Sequence, residues 1–151
     1  MADLKGKVGI VTGGGSGIGK ATALAMARAG ASLVIGSRDA PKSEGVVLAI
    51  RQAGGKAVFQ ATDVSKPAEV KALVERAVKE YGRLDLAHNN AGVDGQQVPL
   101  HEQDIEKASF LFDVNIKGVF YCMKYENIRD GVREVGLDCI VVTSTKRFFG
   151  F

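Results

Sequence analysis

The chain has 151 residues, 46% of them hydrophobic and 25% charged, an ordinary balance for one soluble globular domain, which at this size buries roughly two-thirds of its unfolded surface. The net charge of +3 is small, and the basic side chains alternate with acids along the predicted helices, which excludes a nucleic-acid-binding patch. No apolar run is long enough to span a bilayer, and Met-Ala-Asp-Leu-Lys-Gly-Lys lacks the apolar core of a signal peptide, so a cytoplasmic protein with no membrane partner is expected.

Residues 8–12 read as a buried strand, with Val8, Ile10 and Val11 stopping at Thr12. Glycines follow at 13, 14, 15, 17 and 19, and an alanine-rich pattern predicts a helix over 17–29, ending near Gly30. Strand, glycine turn and helix in this order make a cradle for a nucleotide phosphate. Glycine permits positive φ and close approach of a ligand. The helix start aims free N–H groups and a positive dipole end at the loop. The spacing is Gly13-x-x-x-Gly17-x-Gly19, not the Gly-x-Gly-x-x-Gly of the common dinucleotide fingerprint. Lys20 is followed by Ala21, so the Gly-Lys-Ser/Thr ending of an NTPase P-loop is absent too. The competing reading, a merely flexible loop, fits poorly with a position between a buried strand and a helix.

A second strand is predicted over 31–36, then a helix over 41–53 with Pro41 near its start and Gly54-Gly55 closing it. Residues 56–61 make a third strand. Ser65 is the expected N-cap of a helix over 66–81, with Pro67 in its first turn and Ala68, Val70, Leu73, Val74, Ala77 and Val78 as its apolar face. Gly82 ends it, and 84–88 reads as a fourth strand. A loop with Gly92, Gly95 and Pro99 precedes one long helix from about 104 to 129, and 138–143 reads as a fifth strand. This alternation predicts an α/β fold, a Rossmann-like doubly wound parallel sheet with helices on both faces. Ligands of such sheets lie beyond the carboxyl ends of the strands, which places Gly13–Gly19, Ser37, Asp63 and Asn90 on one rim. Cys122 and Cys139 are too few for a disulfide scaffold and read as reduced thiols. His88 and His101 lack partners at ligand spacing, so no structural metal is expected.

Four stretches together resemble the short-chain dehydrogenase/reductase family. They are Thr12-Gly13-Gly14-Gly15-Ser16-Gly17-Ile18-Gly19, Asp63-Val64, Asn89-Asn90-Ala91-Gly92 and Asp113-Val114-Asn115-Ile116-Lys117-Gly118. They occur in the family's order over residues 3 to about 126. The resemblance implies a single NAD(P)-binding domain over 1–151, and hydride transfer between a nicotinamide cofactor and an alcohol or carbonyl substrate. It implies that Gly13, Gly17, Ile18 and Gly19 surround the cofactor pyrophosphate, with Ser16 also binding the cofactor. Asp63 and Val64 would flank the adenine, and Asn90, Ala91 and Gly92 would line the cofactor beyond the fourth strand and brace the sheet. Asn115 would help hold a proton-relay water; the competing reading is an exposed helical asparagine.

Cofactor choice turns on the end of the second strand, where NAD enzymes place an acid on the adenosine ribose. Ser37 stands there, followed by Arg38 and Asp39. Arg38 is suited to pair with a 2′-phosphate, which favours NADP. NAD remains the alternative, with Asp39 on the ribose and Arg38 a solvated surface residue. Ser16 also lacks the positive charge often found there in NADP-preferring relatives.

The family's Tyr-x-x-x-Lys pair does not occur: Tyr81 is followed four positions later by Asp85, Tyr121 by Tyr125 and Tyr125 by Arg129. Alignment of the fifth strand puts Thr145 at the position of the family's catalytic serine, with Ser144 just before it. From Asn127 onward the resemblance is expected to fade, and the sheet to be truncated after about the fifth strand. The chain reads as a truncated or frameshifted product, or a fragment of a longer enzyme, with little turnover of its own. The family's oligomer interface would be incomplete, and Phe148, Phe149 and Phe151 would fold back over the exposed sheet edge. The alternatives are a non-catalytic nucleotide-binding module and a fragment without function.

Overall fold

The computed structural model describes residues 3–126, together with the backbone of three strands, Ile128–Arg129, Arg133–Glu134 and Cys139–Val142. Strands β1 (Val8–Thr12), β2 (Ser32–Ser37), β3 (Lys56–Ala61) and β4 (Leu86–Asn89) alternate with helices α1 (Gly17–Arg28), α2 (Ala40–Gln52) and α3 (Pro67–Tyr81). A 3-10 turn (Leu100–Glu102) leads to α4 (Ile105–Phe112), a π-helical turn (Asp113–Lys117) and α5 (Gly118–Glu126). The short strands β5 (Ile128–Arg129) and β6 (Arg133–Glu134) pair antiparallel, and β7 (Cys139–Val142) follows.

The main sheet has five strands in the order β3-β2-β1-β4-β7, with every pairing parallel. This is the doubly wound arrangement predicted from the strand and helix alternation. All five residues of β1 are buried, as a strand covered on both faces requires. Alternate side chains serve opposite faces. Val11, Leu33, Ile35 and Ala57 pack with Ala23, Val46, Val47 and Ile50 of α1 and α2. Val8, Ile10, Val34 and Val58 pack with Leu73, Val74 and Ala77 of α3. Each fully buried aliphatic side chain stabilises the fold by roughly 1.5–3 kcal/mol.

The chain grows outward from β1 to β3, then returns to the other side of β1 at β4. Thr12 is paired with Gly36 on one side and Asn89 on the other, so three strand ends lie level at this switch point. Crevices at such reversals are where doubly wound sheets take ligands.

Two predictions about helices are corrected. The long helix expected over 104–129 is divided by the π-helical turn and ends at Glu126. The wider turn lets consecutive residues Val114 and Asn115 both face inward, and it sets Gly118 hard against Val64. Ser65 is not the N-cap of α3: Lys66 occupies that position without a side-chain cap bond. Pro67 has no N–H to cap, and the Glu69 N–H already donates to the Lys66 carbonyl at 3.0 Å. The Ser65 hydroxyl turns instead to Asp63 Oδ1, at 2.7 Å. No helix among the described residues is long and apolar enough to cross a membrane.

Candidate functional site

The glycine loop is held from behind. The Thr12 hydroxyl accepts from the N–H groups of Asn90 (3.0 Å) and Ala91 (3.1 Å). The Asn90 amide donates to the carbonyls of Thr12 (3.1 Å) and Gly13 (3.3 Å), and the Gly13 N–H donates to the Gly36 carbonyl at 2.8 Å. These bonds fix the loop to β2 and to the segment after β4. Gly13 has φ +65° and Gly17 φ +51°, the left-handed region that favours glycine. Gly19 is required for space: a Cβ there would lie 2.4 Å from the Gly13 carbonyl oxygen and 2.5 Å from Asn90 Nδ2.

Ser16 precedes α1 in extended backbone and makes no side-chain cap bond. The Lys20 N–H is bonded to the Ser16 carbonyl at 3.0 Å, so the N–H groups of Gly17, Ile18 and Gly19 lie before the first intrahelical bond. No acidic side chain occupies this first turn. The helix start therefore presents an uncompensated positive end, suited to an anion.

In front of the loop lies an open cleft of about 610 Å³. Gly13, Gly15 and Ser16 form one wall, Ser37 and Arg38 the next, and Asp63, Val64 and Val114 the far end, with Ala91 and Gly92 at the side. Its volume is in the range of small-ligand sites. Ser37 Oγ is 2.6 Å from the buried Ser43 Oγ and accepts from the Asp39 N–H at 3.1 Å. Asp39 caps α2, accepting from the Lys42 N–H at 3.1 Å and pairing with Lys42 Nζ at 2.7 Å. The Lys42 bonds hold the Asp39 carboxyl below its ordinary value. Asp63 Oδ1 accepts from the Ser65 N–H and hydroxyl, at 3.0 and 2.7 Å. Burial pushes the Asp63 carboxyl up, but the Ser65 bonds and the charges of Arg38 and Lys66 outweigh it and hold it below the usual value.

Asn115 lies behind Gly92 in the π-helical turn. Its amide makes a two-point bond with Val93: Oδ1 accepts from the N–H at 2.8 Å, and Nδ2 donates to the carbonyl at 2.9 Å. A Cβ at Gly92 would lie 3.2 Å from Asn115 Oδ1, so the helix and the segment after β4 meet closely here.

The structure thus brings Gly13, Ser16, Ser37, Arg38, Asp63, Val64, Ala91 and Gly92 to one cleft. Asn90 stands behind the loop, Gly17–Gly19 open the helix beside it, and Ile18 is 45% exposed. Ser144 and Thr145 lie outside the described residues, as do Phe148, Phe149 and Phe151. Sequence reasoning missed the Thr12 hydroxyl as a bracket, Ser43 behind Ser37, and Phe110, whose ring lies under the Arg38 guanidinium. Thr12 ends an apolar strand and was open to notice; the other two carry no local signal. The fit to a dinucleotide rests on a loop with no room for a side chain at Gly13, Gly14, Gly15 or Gly19, a free helix start and a cleft of matching size.

The sequence of residues 7–136 matches the family of short chain dehydrogenases. The chain belongs to this family, which is a family of oxidoreductases. The match takes in β5 and β6, within the stretch from Asn127 over which the resemblance was expected to fade. The chain is 41% identical over 126 residues to the 2,5-dichloro-2,5-cyclohexadiene-1,4-diol dehydrogenase of Sphingobium indicum, covering 83% of this chain and 49% of that protein. It is 43% identical over 120 residues to the cyclohexanol dehydrogenase of an Acinetobacter species, covering 80% and 48%. A short chain dehydrogenase/reductase from Burkholderia phymatum, solved in complex with NAD, superposes with a TM-score of 0.78 at 35% identity, covering 83% of this chain and 44% of that one. The chain spans about half the length of the curated relatives it matches.

Proposed function

We propose that residues 1–151 form a single dinucleotide-binding domain, the cofactor-holding part of a nicotinamide-dependent alcohol dehydrogenase or carbonyl reductase. The observation that carries this reading is the cleft itself, between the tightly braced glycine loop and the Arg38–Asp63 wall. The N–H groups at Gly17, Ile18 and Gly19, with Gly13 and Ser16 beside them, would hold the pyrophosphate. Asp63 Oδ1 is taken by Ser65, which leaves Oδ2 to accept from the adenine amine, with Val64 against the ring. Ala91 and Gly92 would pass the dinucleotide toward the nicotinamide end, with Asn90 acting through the loop. The cofactor supplies hydride transfer to or from an alcohol or carbonyl carbon. Asn115, Ser144 and Thr145 are our candidates for the polar groups at that end.

NADP is the cofactor we assign. Ser37 and Arg38 stand where a ribose-binding acid would exclude a 2′-phosphate, and Asp39, which also lines the cleft, has its charge paired with Lys42. The dinucleotide found with the Burkholderia phymatum relative supports a nicotinamide cofactor in general. A second reading, a nucleotide-binding module without turnover, is favoured by one observation: no tyrosine within residues 1–151 is followed by lysine four positions later. General acid–base help of that kind is worth typically ~10²–10⁴ in rate.

Thermal melts of the 151-residue chain with excess NADPH or NADH test both readings. A ligand of the folded state at 100 times its Kd stabilises by ~2.7 kcal/mol. NADPH is expected to raise the midpoint more than NADH does. No shift with either would overturn the assignment. Transfer of label from deuterated NADPH to cyclohexanone by the same chain, above the rate in buffer, would reject the module reading.

A further inference from the structure

Arg38 follows β2 at the rim of the cleft, and Phe110 stands on α4, the two brought together only by the fold. The guanidinium carbon lies 5.7 Å from the centre of the Phe110 ring, within the reach of a cation–π contact. Phe110 also lines a smaller cavity of about 200 Å³ with Val93, Gln96 and Leu111. The ring is 41% exposed, so it is not held there as a core residue. Among the described residues Arg38 forms no ion pair: Asp39, the nearest acid in sequence, is paired with Lys42, and Asp63 accepts from Ser65. The guanidinium therefore rests against the Phe110 ring, and no ion pair among the described residues occupies its N–H donors, which are open to a ligand.

We propose that Phe110 is a positioning residue for Arg38, holding the guanidinium at the rim so that the pair selects a 2′-phosphate over a 2′-hydroxyl on the adenosine ribose. The inference rests on the reading of the cleft as a dinucleotide site. An arginine ordered before binding loses less freedom when it pairs with phosphate, and the ring supplies that order. The contact adds nothing to a ligand with a bare ribose, which makes no fork-shaped bond to Arg38. Loss of the ring should therefore cost affinity selectively, by about two- to fivefold, the size of an exposed cation–π contact.

The test is calorimetric titration of the 151-residue chain with two probes, 2′,5′-ADP and 5′-AMP. The wild-type chain should prefer 2′,5′-ADP, and Arg38→Ala should abolish the preference. Phe110→Ala and Phe110→Leu should each weaken 2′,5′-ADP two- to fivefold and leave 5′-AMP unchanged, whereas Phe110→Tyr should bind both probes as wild type does. Leucine and tyrosine retain bulk at this half-exposed position, so the comparison stands even if the alanine variant folds poorly. Equal losses on both probes, full affinity in Phe110→Leu, or a Phe110→Tyr loss matching that of leucine would each overturn the inference. A wild-type chain that binds neither probe overturns the dinucleotide reading and this inference with it. One that binds both equally overturns the NADP assignment and this inference. A wild-type preference that is undiminished on removal of the ring overturns this inference alone.

Discussion

A methyl group at position 19 has no space to occupy. Its nearest neighbours are the Gly13 carbonyl and Asn90 Nδ2, which bond each other, and the Gly13 N–H and Asn90 Nδ2 are further tied to the carbonyls of Gly36 and Thr12, so neither gives way without breaking the brace. Gly19→Ala should therefore destabilise by ~1–3 kcal/mol, the usual range for overpacking. Gly45 is the control: it lies on α2, a methyl added there would meet nothing within 4 Å, and its φ is an ordinary helical one. Gly45→Ala should stabilise by roughly 0.5–1 kcal/mol, because glycine in a helix interior loses more freedom than alanine. Thermal melts should move in opposite directions, by about 2–4 °C per kcal/mol for a chain of this size. Equal shifts would refute the packing argument. Position 19 was legible in the sequence because an absent side chain within one short turn leaves its mark on spacing. Phe110 and Ser43 were not, since each acquires its role from a partner on another element.

At the scale of the element, periodicity carried the reading furthest where an apolar face is continuous. α3 shows it: of the expected apolar face Val70, Leu73, Val74 and Ala77 are buried at helical spacing, whereas Ala68 is exposed and Val78 half-buried. The π-helical turn was not legible, since its sequence continues the helical pattern and the partners of its residues lie across the fold. One such residue is Asn115, whose amide replaces a backbone partner for both polar groups of Val93. The fourth strand likewise begins at Leu86 rather than at Leu84. The Asp85 N–H still reaches the Val8 carbonyl at 2.8 Å, but its carboxylate turns back to accept from the Val8 N–H at 2.9 Å. Asn115→Ala removes both partners of Val93 at a half-buried site and should cost ~1–3 kcal/mol. Hydrogen exchange locates the effect: the Val93 amide should lose protection far more than amides in β1 or β2. Uniform loss across the sheet, or none at Val93, would show that the Asn115 bonds do not hold this segment.

At the scale of the molecule, the parallel sheet and the rim that bears the cleft follow from one alternating pattern, because a sheet buried on both faces needs apolar strands and covering helices. The same burial has a consequence for pH. Glu126, 2% exposed at the end of α5, accepts from Asn89 Nδ2 at 3.0 Å. Burial pushes its carboxyl up to about 7, against the pull of the Asn89 bond. The folded chain then holds this proton more tightly than the unfolded chain, where a glutamate titrates near ~4.3. Its contribution to stability is fully present below that value and is lost as pH rises through about 7. His88 acts in the opposite sense, since burial lowers its imidazole below 6.5 and stability is lost as pH falls through the folded value. Asp63 and Asp85 also weaken the fold on acidification, but only below the ordinary aspartate value of 3.8. The wild-type profile mixes these opposing effects, so the informative quantity is a difference. Glu126→Gln keeps an acceptor for Asn89 and removes the titration. Urea unfolding at pH 5, 6, 7 and 8 should show the variant gaining on wild type as pH rises, by an amount on the order of a few kcal/mol across the range. Parallel curves would mean that Glu126 titrates alike in the folded and unfolded chain, and that its burial beside Asn89 exerts no hold on its proton.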